Sequence, residues 1–168
     1  VSRSLLLLVC LATSACSQEP LDAAANVDLS RFQGKWYEIA KLPRATQADC
    51  KGTTAFYTLR DGGLDLTSEC HLGALDGPLR TMTARASVAD GGDPARLSLQ
   101  VGGFSGDYFI LDVGERYEHA LIGVPSREYL WILGRTPTMD RATYDGLVSK
   151  AQAAKFDTSR LEATVQAP

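Results

Sequence analysis

Histidine is nearly absent from this 168-residue chain: His71 and His119 are the only two. Neither stands at metal-ligand spacing from a cysteine or carboxylate, so both read as surface residues at strand ends. Also missing are a Gly-Lys-Thr phosphate loop and a dinucleotide fingerprint, and the strands lack the crossover helices that nucleotide-binding sheets require. Gly103-Phe-Ser-Gly106 imitates a nucleophile elbow only as far as Asp107, which stands where glycine is needed. No basic stripe exists. With 17 Lys and Arg against 20 Asp and Glu, the net charge is −3, and nothing points to nucleic acid. The longest apolar run, near the N-terminus, is too short to span a bilayer. An acidic surface is not drawn to anionic lipid heads, so any membrane contact has to come from that N-terminal stretch.

What the chain does have is alternation. At 45% hydrophobic residues it can build one sizeable core. Period-two stretches recur between turn signals: 34–42, 53–59, 64–70, 80–88, 96–101, 107–113, 117–124 and 129–135. Ala55, Tyr57 and Leu59 share one face of the second strand, and Leu64 and Leu66 share one face of the third, across a turn at Arg60-Asp-Gly-Gly63. Eight such strands close into a barrel that is filled by its own side chains or holds one small ligand. After Pro137 the period changes: Tyr144, Leu147, Val148, Ala151 and Ala154 recur at helical spacing, with Thr138 as the expected cap, giving one face to lay on the barrel wall. A last strand is expected over 161–165, beside the first.

The first strand is opened by a lone glycine and a tryptophan, Gly34-Lys-Trp36, after a short turn capped by Asp28 whose Leu29 and Phe32 are placed to close the barrel base. The last strand ends in Arg135, whose guanidinium can lie on the Trp36 ring, a contact of roughly 0.5 to 2 kcal/mol. Gly34-x-Trp36 together with Arg135, and the stretches Gly34-Lys-Trp-Tyr-Glu-Ile-Ala40, Asp112 to Ala120 and Tyr129-Leu-Trp-Ile-Leu-Gly-Arg-Thr-Pro137, resemble the lipocalins, in particular the bacterial lipocalins of the outer membrane. The likeness runs from about Leu29 to the end. It implies an all-β fold: an eight-stranded antiparallel up-and-down barrel with a C-terminal α-helix packed on its wall. It also implies a lipid ligand, a fatty acid or lysophospholipid, and no cofactor.

The first sixteen residues carry one cation, a short apolar run and small residues before a cysteine, the pattern of a secretory signal. Thr13-Ser-Ala-Cys16 resembles a bacterial lipoprotein box, with Cys16 as the lipidated mature N-terminus and ordinary cleavage near Ala15 as the alternative. The organisation expected is a signal over 1–15, a lipidated tether over 16–27 and the barrel domain over 28–168. Ser17 is not the aspartate that retains such proteins at the inner membrane, so the resemblance implies the periplasmic side of the outer one. Cys50 and Cys70 flank a hairpin and remain to pair in an oxidising compartment. Such a bridge, closing a loop of about twenty residues, contributes roughly 3 kcal/mol.

By parity, the expected lining is Tyr57, Leu66, Ala84, Leu99, Tyr108, Ile110, Tyr129 and Trp131, with Ala55, Ala84 and Ala86 leaving volume toward the open end. Aliphatics with phenol hydroxyls suit an acyl chain and its head group. Glu38 shares the Trp36 face and, buried near the floor, needs a partner such as Arg135 or a ring hydroxyl. The expected partners are a fatty acid or lysophospholipid and the membrane reached through the anchor, with a homodimer left open. The expected role is carriage rather than catalysis. The enzymatic alternative rests on Glu38 or a pocket tyrosine, and a barrel filled by its own side chains is the third reading.

Overall fold

A computed structural model of the protein describes residues 19–89 and 92–167. The signal stretch and Cys16 lie outside the described residues. Asp28 caps α1 (Leu29–Phe32) by accepting from the Ser30 amide at 2.9 Å. Gly34 then opens β1 (Gly34–Lys41) with φ of +91°, a conformation strained for any side chain, and a Cβ there would lie 3.4 Å from Arg135 Nη1. The chain continues through β2 (Cys50–Arg60), β3 (Gly63–Leu72), β4 (Leu79–Val88), β5 (Arg96–Val101), β6 (Phe104–Val113), β7 (His119–Gly123) and β8 (Leu130–Gly134). Each strand pairs antiparallel with the next, and β1 pairs with both β2 and β8, which closes the barrel. Closure hides most of the strand edges, although the mouth half of β4 is left unpaired on its β5 side.

One end of the barrel is a floor. Phe32 and Trp36 are both fully buried and stack with centroids 4.7 Å apart, and the Trp36 indole donates to the Phe32 carbonyl at 2.8 Å. Arg135 lies 3.8 Å over the Trp36 ring and donates to three carbonyls, those of Arg31, Lys35 and Tyr117, at 2.9 to 3.1 Å. Tyr117 accepts from the Asp28 amide through its hydroxyl at 2.7 Å, so the turn before β7 is bound to α1 as well. The opposite end, the mouth, gathers the turns 42–49, 73–78, 102–103 and 124–129. Cys50 and Cys70 are disulfide-bonded, joining β2 to β3 near that end.

A second core lies outside the wall. α2 (Arg141–Ala153) buries Leu147 and Ala151 against Ala40, Leu121, Leu130 and Ile132, with Phe156 completing the cluster. A Cβ on Gly123 would lie 2.6 Å from the Phe156 ring, so this close approach requires glycine. The helix is capped by Asp140, not Thr138: the Asp140 carboxylate accepts from the Thr143 amide at 3.0 Å. Its far end turns through Lys155 at φ of +68°, a left-handed lysine where glycine costs nothing.

Three further boundaries differ from the sequence reading. β6 begins at Phe104 rather than 107, because the two glycines at 102 and 103 alone make the turn. The last strand, β9 (Glu162–Ala163), is two residues long and pairs with the upper part of β1, where β2 has moved away. The segment expected as tether through 27 is seated on the wall from Leu21 onward: Leu21 and Val27 are buried and the Ala24 amide donates to the Ile110 carbonyl at 2.8 Å.

The floor yields a stability prediction. Arg135→Ala is expected to cost about 2 to 4 kcal/mol, the loss of a stacked cation and of charge-assisted bonds to carbonyls. Arg135→Lys is expected to recover less than half, since an ammonium cannot reproduce the planar fork. Urea unfolding with an unchanged m-value checks both.

Candidate ligand site

β2 and β6 stand opposite each other in the closed order, and a hydrogen bond crosses the lumen between them. The hydroxyls of Tyr57 and Tyr108 are 2.6 Å apart, both buried. Burial pushes the Tyr57 phenol well above its ordinary value near 10, and the neighbouring Tyr108 adds to the effect. Burial also pushes Tyr108 up to about 12, against the lowering exerted by the Tyr57 hydrogen bond and the Arg44 charge. Both phenols are therefore neutral at physiological pH. One donates to the other, and the second proton is free for an acceptor above. Beneath this crossbar the barrel is filled by Phe32, Trp36, Leu64, Leu97, Ile110 and Ile122. The Phe32 ring meets Tyr57 edge-on at 5.1 Å.

Above the crossbar is a cavity of ≈ 50 Å³, walled by Ala55, Leu66, Met82, Leu99, Trp131 and Leu133. It adjoins a mouth cavity of ≈ 220 Å³, and Arg44, Gln47, Ser68 and Met82 line both. Arg44 is the cover. Its guanidinium lies 4.7 Å from the Tyr129 ring centroid and 5.2 Å from that of Trp131. Among the described residues, Arg44 Nε, Gln47 Oε1 and Thr53 Oγ1 have no hydrogen-bond partner although buried, and all three residues line the inner cavity. On the same lining, the buried Glu38 carboxylate accepts from the Thr164 hydroxyl at 2.6 Å and sits 3.3 Å from Lys41 Nζ.

The architecture is shared with known proteins. A family model described as a lipocalin-like domain matches residues 27–166. The chain belongs to the lipocalin family. It is 34% identical to temperature-induced lipocalin-1 of Arabidopsis thaliana, over 89% of this chain and 84% of that protein. It is 34% identical to the outer membrane lipoprotein Blc of Escherichia coli K12 (91% and 87% covered) and 29% identical to Blc of Vibrio cholerae (95% and 96% covered). Among solved structures, insecticyanin from the tobacco hornworm Manduca sexta superposes with a TM-score of 0.70 at 17% identity, covering 90% of this chain and 87% of that one. Lobster apocrustacyanin A1 superposes at 0.69 and 19%, covering 83% and 79%.

In this lipocalin Tyr57, Leu66, Leu99, Tyr108 and Trp131 line the inner cavity as their parity requires. Three residues expected there do not. Ile110 is fully buried in the packed half below, because the crossbar lies between it and the mouth. Ala84 borders a groove of ≈ 660 Å³ beside the β5–β6 turn, since β4 pairs with β5 only over Arg85–Val88 and leaves its mouth half unpartnered on that side. Tyr129 stacks on Trp131 at 6.1 Å, outside the inner lining, beneath the Arg44 guanidinium. Glu38 is not at the floor with Arg135; it meets Lys41 and Thr164 higher up. Lys41 escaped the sequence reading because the β1–β8 register slips between Glu38 and Ala40, which sets Lys41 opposite Trp131. Arg44 escaped it for lack of any periodic signal in a loop.

The crossbar predicts an alkaline titration. The raised Tyr108 phenol contributes stability that is intact below about pH 10 and is lost as pH rises from there toward its folded value of about 12, and Tyr57, also raised, acts in the same direction. Phenolate absorbance of the wild type minus that of a Tyr57→Phe/Tyr108→Phe variant is expected to stay flat through pH 10 and to rise only near 12 or on unfolding. A rise near pH 10 in folded protein contradicts the arrangement.

Proposed function

We propose that this lipocalin binds a fatty acid or lysophospholipid and carries or stores it while anchored through acylated Cys16 at the periplasmic side of the outer membrane. The observation that carries the ligand reading is the apolar-walled space above the Tyr57–Tyr108 pair with the Arg44 guanidinium across its opening. An alkyl chain fits against Leu66, Met82, Leu99, Leu133 and Trp131, and a carboxylate or phosphate fits the unpaired Arg44 Nε. The inner cavity of ≈ 50 Å³ is well below the 300 Å³ or more typical of small-molecule sites, so a bound chain displaces Arg44 and Met82 and joins inner and mouth cavities into one. Glu38 does not repel the head group, because Lys41 and Thr164 already hold its carboxylate. Likeness to the two Blc lipoproteins supports the anchored location.

Native mass spectrometry of the protein, with extraction of what it carries, is expected to show a stoichiometric lipid adduct. A bare mass that also refuses added lysophospholipid overturns the reading. In titrations with lysophospholipids of increasing alkyl length, affinity is expected to rise by about 0.8 kcal/mol per methylene until the chain meets the tyrosine pair. The signal is Trp131 emission, since the only other tryptophan, Trp36, is sealed below Arg135. Arg44→Ala is expected to weaken a fatty acid by about tenfold and a neutral monoacylglycerol much less, the scale of one charge-assisted hydrogen bond.

A further inference from the structure

The described chain begins at the mouth of the barrel. Arg127, in the turn between β7 and β8, donates through Nη2 to the Glu19 carbonyl at 2.8 Å and through Nε to the Ala154 carbonyl at 3.2 Å. From there Leu21 packs into the cluster of Leu121, Leu147 and Phe156, and the segment descends the wall to Asp28 at the floor. Three residue steps separate Glu19 from Cys16, a reach of at most about 11 Å. A lipid anchor on Cys16 therefore holds the mouth, not the floor, close to the bilayer.

The same end presents large apolar side chains to solvent. Phe104, at the two-glycine turn, is 79% exposed and Leu79, at the start of β4, is 58% exposed, with Leu75 and Tyr129 also exposed on the rim. Scattered exposed apolar residues are ordinary, but a set gathered around one opening is a contact surface. Arg44 and Arg80 line the mouth cavity on this end, two guanidinium groups of the sign and shape that lipid phosphates favour.

We infer that the barrel docks mouth-first on the leaflet that holds its anchor, with Phe104, Leu75 and Leu79 seated in the interfacial layer, so that an acyl chain passes between leaflet and cavity without crossing water. The inference rests on the acylation of Cys16 proposed above. Anchor and rim act together: the lipid on Cys16 supplies firm attachment, and an apolar rim on the same side orients the barrel.

The test uses the full chain, purified as the processed lipoprotein and reconstituted in vesicles of phosphatidylethanolamine and phosphatidylglycerol. An environment-sensitive fluorescent amino acid replaces Phe104 or, in a second protein, the exposed Leu59 near the floor. Both side chains are exposed, so neither replacement removes a core contact. Lipids spin-labelled near the head group are expected to quench position 104 several-fold more than position 59, with a blue shift only at 104. Equal quenching, or stronger quenching at 59, overturns the orientation while intact mass still shows the acylated Cys16. Shielding of position 104 that is indifferent to the quencher and lost on dilution assigns the rim to a second copy of the chain and likewise overturns it. An unmodified Cys16 in the intact mass removes the anchor, and this inference with it, by a readout independent of quenching.

Discussion

The hydrogen bond between Tyr57 and Tyr108 sets what the barrel can do. A closed eight-stranded sheet has an interior just wide enough to be packed or to hold one small ligand, and the crossing hydroxyls decide how much of it goes to each. Below them, aromatic and aliphatic side chains fill the lumen down to the Phe32–Trp36 stack. Above them, the lining is apolar on most sides and interrupted by buried polar groups without mutual partners. A hydroxyl pair in so apolar a place is costly unless the two engage each other, which ties β2 to β6 across the lumen and fixes the depth of the space above.

That upper space is held nearly shut by side chains that can move, not by backbone. Arg44 lies across Trp131 and Tyr129, Gln47 and Met82 separate inner from mouth cavities, and the 3-10 turn that carries Gln47 spans only Ala45–Gln47. The wall from which this cover rises is fixed: the C-terminal tail is sewn into the seam between β1 and β2 by the Gly52 amide to the Val165 carbonyl and by Gln166 to the carbonyls of Glu38 and Thr53. Thr164 from this tail reaches the Glu38 carboxylate. The molecule thus combines a floor and seam held by backbone-directed hydrogen bonds with a cover made of a few side chains.

Most of this fold was legible in the chain because each element carries its own physical signal. Alternation located the strands, helical spacing of Tyr144, Leu147, Val148 and Ala151 located α2, and Gly34, Trp36 and Arg135 marked the floor. The site was legible in part. Tyr57, Leu66, Leu99, Tyr108 and Trp131 line the inner cavity, on the face their parity gives them, but parity carries no depth, and Ile110 lies beneath the crossbar. A register slip in β1 hid Lys41, and the unpaired stretch of β4 moved Ala84 to an outer groove. Small alanines promised more volume than exists, because the size of a lumen depends on which side chains meet across it. Thr138 and Asp140 compete as caps two residues apart, and only the hydrogen bond from Thr143 separates them.

The central claim is that ligand space lies above the tyrosine pair and opens by movement of Arg44. A crystal structure of the protein with a lysophospholipid bound tests it most directly. The expected result has the alkyl end resting on the Tyr57 and Tyr108 hydroxyls, with Arg44 lifted from Trp131 toward the head group. A chain that passes the tyrosines to reach Trp36, or a lipid bound elsewhere with Arg44 still stacked, would contradict it.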